Sequence, residues 1–285
     1  MQEARERSIS AIALSWLAAP LLATAAATAQ EFPFRADTTF FVPLEIGHCS
    51  FGAIPSDASP YLRVVALGTP LYAGSEPCGR FIEIDTTGAS CVAPPCDFTG
   101  ERVVAMVSDE LVSTEPDLDL SESAFAAIAH VDEGVLLDVR WRYVEGTHEG
   151  AVELRTTPGI DPNFIHFVLQ KHNLGITAVS VRDAADPTWH PAVRDLANQW
   201  SVSTGQAFLP PLSVRITDVT GRRVTAFDAV DSLTPSVTHD LGVQLGAPTV
   251  ASMGDLARAL GTLAMAAMGG WILRQGASSK NSELK

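Results

Sequence analysis

The chain has 285 residues, 46% of them hydrophobic, and a formal net charge of −14. That length can support two domains with cores of their own. The charge excludes non-specific nucleic-acid binding, which needs a basic face, and opposes contact with polyanions and anionic lipid.

In chain order, Arg5 and Arg7 lead into the apolar run ISAIALSWLAAPLLATAAA, which ends at the A-x-A pattern Ala27-Thr28-Ala29 before Gln30. Residues 1–29 are therefore predicted to be a secretory signal peptide, with a transmembrane anchor as the competing reading. Cys49, Cys78, Cys91 and Cys96 then read as disulfides of an oxidising compartment, for which three pairings exist. There is no CxxC, and no histidine near the cysteines beyond His48. A metal site is therefore not expected, nor any cofactor.

Short β-branched or alternating runs follow: YLRVVALG, RFIEIDT, RVVAMVSD and VLLDVRWRYVE, each bounded by Gly, Pro or Asp. One helix is predicted to interrupt them, capped by Ser121, with Ala124, Phe125, Ile128 and Ala129 at helical spacing. His130 beside it reads as a surface or capping residue. The stretch Glu145–Ala151, with two glycines, marks a boundary, so residues 30–146 and 147–245 are predicted as two domains. Strands resume in AVELRTT, FIHFVLQ, ITAVSVRD and LSVRITDVTGRRV. The last contains the hairpin signal Asp218-Val219-Thr220-Gly221. The absence of a helical period there suggests an independent β-sandwich. The tail, 246–285, holds 15 uncharged residues between Arg258 and Arg274. The apolar segment 256–275 is a candidate membrane tether, or else a packing helix, since about 20 residues are needed to span.

These residues resemble the expansin family. The first half carries LDLSESAFAAIA, GVLLDVRWRYV and PCGRFIEI, and the second carries ITAVSVRD, WHPAVRDLANQWS and LSVRITDVTGRRV, in the family's order over about Gly47 to Asp240. The resemblance implies an all-β chain, with a six-stranded double-psi β-barrel followed by an immunoglobulin-like β-sandwich that binds carbohydrate. It also implies a secreted protein, acting as a monomer on cell-wall polysaccharide (cellulose, xyloglucan or another β-glucan), that loosens the wall without hydrolysis.

Matched residue by residue, Asp119 falls on the family's essential groove aspartate and Asp109 on a second acidic position. A carboxyl in a partly apolar turn keeps its proton to higher pH and can donate it to a sugar oxygen. The structural alternative for Asp119 is a helix N-cap, and for Asp109 a turn aspartate. The resemblance pairs Cys49 with Cys78 and Cys91 with Cys96, and a further family bridge, with ends near Phe81 and Glu145, is absent.

Other positions depart from the pattern. The family's groove threonine matches near Phe40 or Phe41, with Thr38 and Thr39 close by, and a tyrosine of some members is Leu111. Neither Phe nor Thr can serve as the second acid that hydrolysis requires. The three-aromatic glycan strip matches Phe164, Ile165, and Ala197 or Leu196, which leaves Phe164 alone as a stacking residue. Trp189 and Trp200 match positions that read as sandwich core. The acidic surface points to a neutral glucan. A noncatalytic glycan-binding or surface-structural protein on the same scaffold is the alternative function, and an endoglucanase is a third.

Overall fold

The computed structural model describes residues 31–42, 47–52 and 63–246. The predicted signal segment 1–29 and the apolar segment 256–275 lie outside these residues. Among the described residues, no helix is long and apolar enough to cross a membrane.

Leu118 and Leu120 are fully buried, while Asp119 between them is partly exposed. That alternation is the signature of a strand with one face on a core. Leu118–Ser121 is indeed a strand, and a helical turn begins at the next residue. Sliding its register by one residue would expose both leucines and bury the carboxylate, losing about 2 kcal/mol per leucine before the charge is counted.

The strand belongs to a seven-stranded sheet: β1 (Phe34–Phe41), β2 (Val64–Gly68), β3 (Phe81–Asp85), β4 (Ser90–Cys91), β5 (Arg102–Leu111), β6 (Leu118–Ser121) and β7 (Leu136–Val144). The order is β1-β6-β2-β5-β3-β7, and β1 also pairs with β7, so six strands close into a barrel with β4 added beside β7. Two of the pairings, β1–β6 and β2–β5, are parallel. Closure leaves no free edge in the ring. Its interior is filled by Val65, Leu67, Ile82, Ile84, Val107, Leu118, Leu120, Val139 and Trp141, all 1% exposed or less.

The predicted helix is shorter than expected. One turn forms, α1 (Glu122–Phe125), and turns carry the chain on to Ala129, whose N–H still reaches the Phe125 carbonyl. Ser121 does not cap it. The Ser121 hydroxyl instead accepts the N–H of Val64, at 3.2 Å. Phe125 is fully buried with its ring 5.0 Å from that of Phe40, so the short turn seals one end of the barrel.

Two further sheets form the expected sandwich. One runs β11 (His190–Pro191), β10 (Ile176–Asp183), β14 (Leu212–Asp218), β15 (Arg223–Val230). The other runs β12 (Val193–Arg194), β13 (Trp200–Val202), β9 (Ile165–Gln170), β8 (Glu153–Thr156), β16 (Thr238–Asp240). Phe167, Leu169, Val179, Val181, Trp200, Val214 and Ile216 pack in one cluster between them. The β14–β15 hairpin forms as predicted. Asp218 fixes its turn by accepting from the N–H groups of Thr220 and Arg222, and Gly221 supplies the positive φ of +82°.

Barrel and sandwich are joined by hydrogen bonds to main-chain carbonyls. Tyr72 Oη donates to the Leu196 carbonyl (3.0 Å), Ser75 Oγ to that of Asp195 (2.6 Å), and Asn198 Nδ2 to that of Cys49 (3.2 Å). Below this joint His172 is fully enclosed, and a Cβ at Gly79 would collide with its ring.

Candidate functional site

Strand register builds the site. Asp119 on β6 pairs with Thr39 on β1 and with Ala66 on β2, and Ala66 in turn pairs with Asp109 on β5. Thr39, Asp119, Ala66 and Asp109 therefore form one row across four neighbouring strands. Side chains in register on adjacent strands share a face, so the two acids flank a residue too small to fill the space between them. Two strand spacings put their Cα atoms roughly 10 Å apart.

The row depends on an irregularity in β5. Val65 pairs with Val107 but Ala66 pairs with Asp109, so Ser108 is skipped. This bulge turns Ser108 inward, where it is 1% exposed, and brings Asp109 into line. Gly47 allows it: a Cβ there would lie 2.5 Å from the Ser108 carbonyl oxygen.

The two carboxyls are held differently. Asp109 Oδ1 accepts two backbone N–H groups, those of His48 at 2.6 Å and Glu110 at 2.8 Å. It is not a simple turn aspartate, since it lies within β5. Among the described residues, Asp119 accepts a single bond, from the Thr39 hydroxyl to Oδ1 at 2.6 Å. Burial pushes its pKa above the usual carboxylate range. The Thr39 hydrogen bond opposes that rise, and the Asp109 charge adds to it. The helix-cap alternative for Asp119 is thus overturned, because its carboxyl points to β1 and not to α1.

The same bond sets a threonine, Thr39, next to the matched positions Phe40 and Phe41, against the groove acid. Thr39 stands beside Asp119, while Phe40 packs on the barrel core and Phe41 on a small cluster with Phe81 and Met106. Sequence reasoning could have found it by pairing the polar TT of DTTFF with the lone acid of LDLS. A cavity of about 460 Å³ continues from Thr39, lined by Asp37, Ser113, Asp117, Leu118 and Val135 among others. Near Asp109, Glu110 accepts the Thr69 hydroxyl at 2.9 Å, and the rings of His48 and Tyr72 lie 5.9 Å apart. Burial raises the pKa of Tyr72 above its usual range, and the charges of Glu110 and Asp109 add to the effect.

The cysteines form Cys49–Cys78 and Cys91–Cys96. Phe81, at one end of the missing bridge, packs edge-on against His148 and leaves no room for a side chain at Gly146. Among the described residues, no group of three or more His, Cys, Asp or Glu side chains is placed to hold a metal ion.

Phe164 is 39% exposed, with its ring 5.4 Å from His166 on the outer face of the five-stranded sheet. Ile165 is 2% exposed and Leu196 71% exposed. Trp200 is in the core, as expected. Trp189 is not: it is partly exposed and lies against Arg182 and Arg215. His130 is exposed and accepts the Asp132 N–H at the start of a single 3-10 turn.

No protein-family model matches the chain. Among curated proteins, it is 24% identical over 213 residues to expansin-like protein 5 of Dictyostelium discoideum, covering 73% of this chain and 84% of that protein. It is 25% identical over 199 residues to expansin-B11 of Oryza sativa subsp. japonica, covering 63% of this chain and 65% of that protein. Expansin-B1 of Zea mays is 25% identical over 187 residues, with 60% and 66% covered. The chain thus spans about two thirds of the length of the rice and maize proteins. Among solved structures, the fold matches that of a Clavibacter michiganensis expansin at a TM-score of 0.62 and 23% identity, over 75% of this chain and 98% of that one. It also matches a mutant of the same expansin in complex with cellohexaose, at a TM-score of 0.61 and 22% identity.

Proposed function

We propose that this chain, expansin-like in sequence and in fold, loosens cell-wall polysaccharide by disrupting noncovalent contacts between β-glucan chains without cutting them. The observation that carries this reading is the cross-strand row in which Asp119 is fixed by Thr39 and faces Asp109 across Ala66. Burial favours the protonated acid. With Oδ1 engaged by Thr39, Oδ2 is left to donate its proton to a glucan oxygen, in competition with the bonds between glucan chains.

Hydrolysis needs a second carboxyl across the scissile bond, as base or nucleophile. The neighbour of Asp119 on β1 is a threonine, and Asp109 Oδ1 is already engaged by two amides. The relative solved with cellohexaose supports a β-glucan as the substrate class. On this reading the protein acts outside the cell as a monomer. Residues 1–29 direct secretion, 30–146 bear the groove, 147–245 bind glycan, and 256–275 hold the chain at a membrane.

A noncatalytic glycan-binding protein is the second reading. It is favoured by the sandwich strip, where only Phe164 of the matched positions offers an exposed ring.

The test is creep of heat-inactivated wall strips under constant load, with the bath assayed for released sugar. Creep without sugar, abolished by Asp119→Asn, is the expected outcome. Full creep in the Asp119→Asn variant would overturn the role of the acid, and glycan binding with no creep in either protein would leave the second reading.

A further inference from the structure

The outer face of the four-stranded sheet, on the side of the sandwich away from Phe164, carries a cluster the groove does not use. Val179, Val181, Val214, Ile216 and Ala226 point inward and are buried. The intervening residues Arg182 on β10, Arg215 on β14 and Arg223 on β15 therefore point outward. Register makes them neighbours: Ser180 pairs with Arg215, Arg182 with Ser213, and Thr217 with Arg223. Trp189, one residue before β11, lies over two of them, 3.8 Å from the Arg215 guanidinium carbon and 4.8 Å from that of Arg182. Phe227 is 67% exposed, and its ring centroid is 5.6 Å from the Arg182 guanidinium carbon.

In a chain of net charge −14, three clustered arginines would be expected to find carboxylates. Among the described residues none of the three has an ion pair, and the nearby acids are engaged elsewhere. Asp183 accepts the N–H groups of Ala185, Asp186 and Leu209, Asp186 pairs with His190, and Asp228 accepts from Ser213. Among the described residues, Arg215 Nε is buried and has no hydrogen-bond partner. Burial, with Arg223 and Arg182 alongside, holds the Arg215 guanidinium below its usual pKa, as expected where positive charges face one another uncompensated.

We infer that this face, centred on Trp189, Phe227, Arg182 and Arg215, is a second glycan-binding surface that takes a uronate-bearing polysaccharide. Flat rings stack on pyranose faces, and a guanidinium fork donates paired hydrogen bonds to a carboxylate, an acceptor that a neutral glucan lacks. The surface lies on the other side of the sandwich from Phe164, so one molecule can hold an acidic matrix chain while its groove works on a neutral one. The net charge sharpens the inference: a polyanion repelled by the molecule as a whole can be retained only through a local positive patch.

The experiment is affinity electrophoresis of the full chain in gels containing polygalacturonate or a neutral mixed-linkage β-glucan. Polygalacturonate should retard the wild type at low salt, and about 0.5 M salt should abolish the effect. Arg182→Gln/Arg215→Gln should weaken retardation at least tenfold on polygalacturonate and leave it unchanged on β-glucan. Trp189→Ala should weaken it several-fold, with Trp189→Phe restoring most of the loss. An unretarded wild type overturns the inference, as does a double variant that behaves like wild type or loses both polymers equally. The β-glucan gel reports on the groove separately, so failure of one reading leaves the other standing.

Discussion

Asp119 and Asp109 pair with the same residue, Ala66, from the two sides of β2, and one skipped residue in β5 brings the second acid into line. The Asp109 charge raises the Asp119 pKa and the Thr39 hydroxyl lowers it. Two substitutions should therefore move one titration in opposite directions. Thr39→Val removes the donor, so Asp119 should keep its proton to higher pH and the upper limb of the creep–pH profile should move up. Asp109→Asn removes the repelling charge and should move the limb down. Carboxyl-carbon NMR of Asp119 gives the same comparison without activity, and shifts of equal sign would contradict the assignment.

His172 makes the fold sensitive to acid. Burial holds its pKa down to about 4, and that of His148 is lowered as well, first by burial and then by Lys171. An unfolded histidine binds its proton near pH 6.5. The depressed value means the unfolded state takes up the proton first. The contribution of His172 is therefore fully present above pH 6.5 and is lost as pH falls to about 4, by on the order of 3 kcal/mol. Urea unfolding across that range should show the decline, and His172→Gln should flatten it. Asp85 and Glu153, whose pKa values are also lowered, act further down, below the ordinary carboxylate range.

The two disulfides should differ in worth. Cys49–Cys78 spans a sequence separation of 29 and Cys91–Cys96 one of 5. Loop entropy gives about 3.5 kcal/mol for the first and about 2 kcal/mol for the second. Denaturant unfolding of the two double-alanine variants should rank them in that order. Only the first tethers the backbone that presents the Cys49 carbonyl to Asn198, so its loss should also loosen that segment of the joint although the carbonyl itself remains.

Phe164→Ala should weaken binding to insoluble β-glucan about 2–10-fold, the value of one stacked ring. A pull-down isotherm checks this. An unchanged isotherm would mean that Phe164 contributes packing only, through its contact with His166.

Most strands were legible because their β-branched residues alternate between Gly, Pro and Asp punctuation, as in RFIEID and ITAVSVRD. β1 and β6, which carry Thr39 and Asp119, were not. β6 is four residues long, ends at Ser121 and runs straight into α1, so its pattern merges with a helix start. β1 mixes Arg, Asp and Thr among its apolar residues, because its neighbours and not its propensity make it a strand. The resemblance supplied Asp119 and Asp109, but the Ser108 bulge that aligns them leaves no local signature. Trp189 was misread as core because tryptophan is usually buried. Its arginine supports lie 7 residues before and 26 after it, and only strand pairing unites them.

The joint between barrel and sandwich has a consequence for how such a chain can change over generations. Tyr72, Ser75 and Asn198 all donate to peptide oxygens, those of Leu196, Asp195 and Cys49. A peptide oxygen survives almost any replacement of its side chain. Leu196 and Ala197, the positions matched to the strip, can therefore drift among aliphatic and aromatic residues while the two halves keep their mutual bearing. If those positions touch glycan as the proposed function has it, polysaccharide preference can be retuned at the seam without redesigning the hinge.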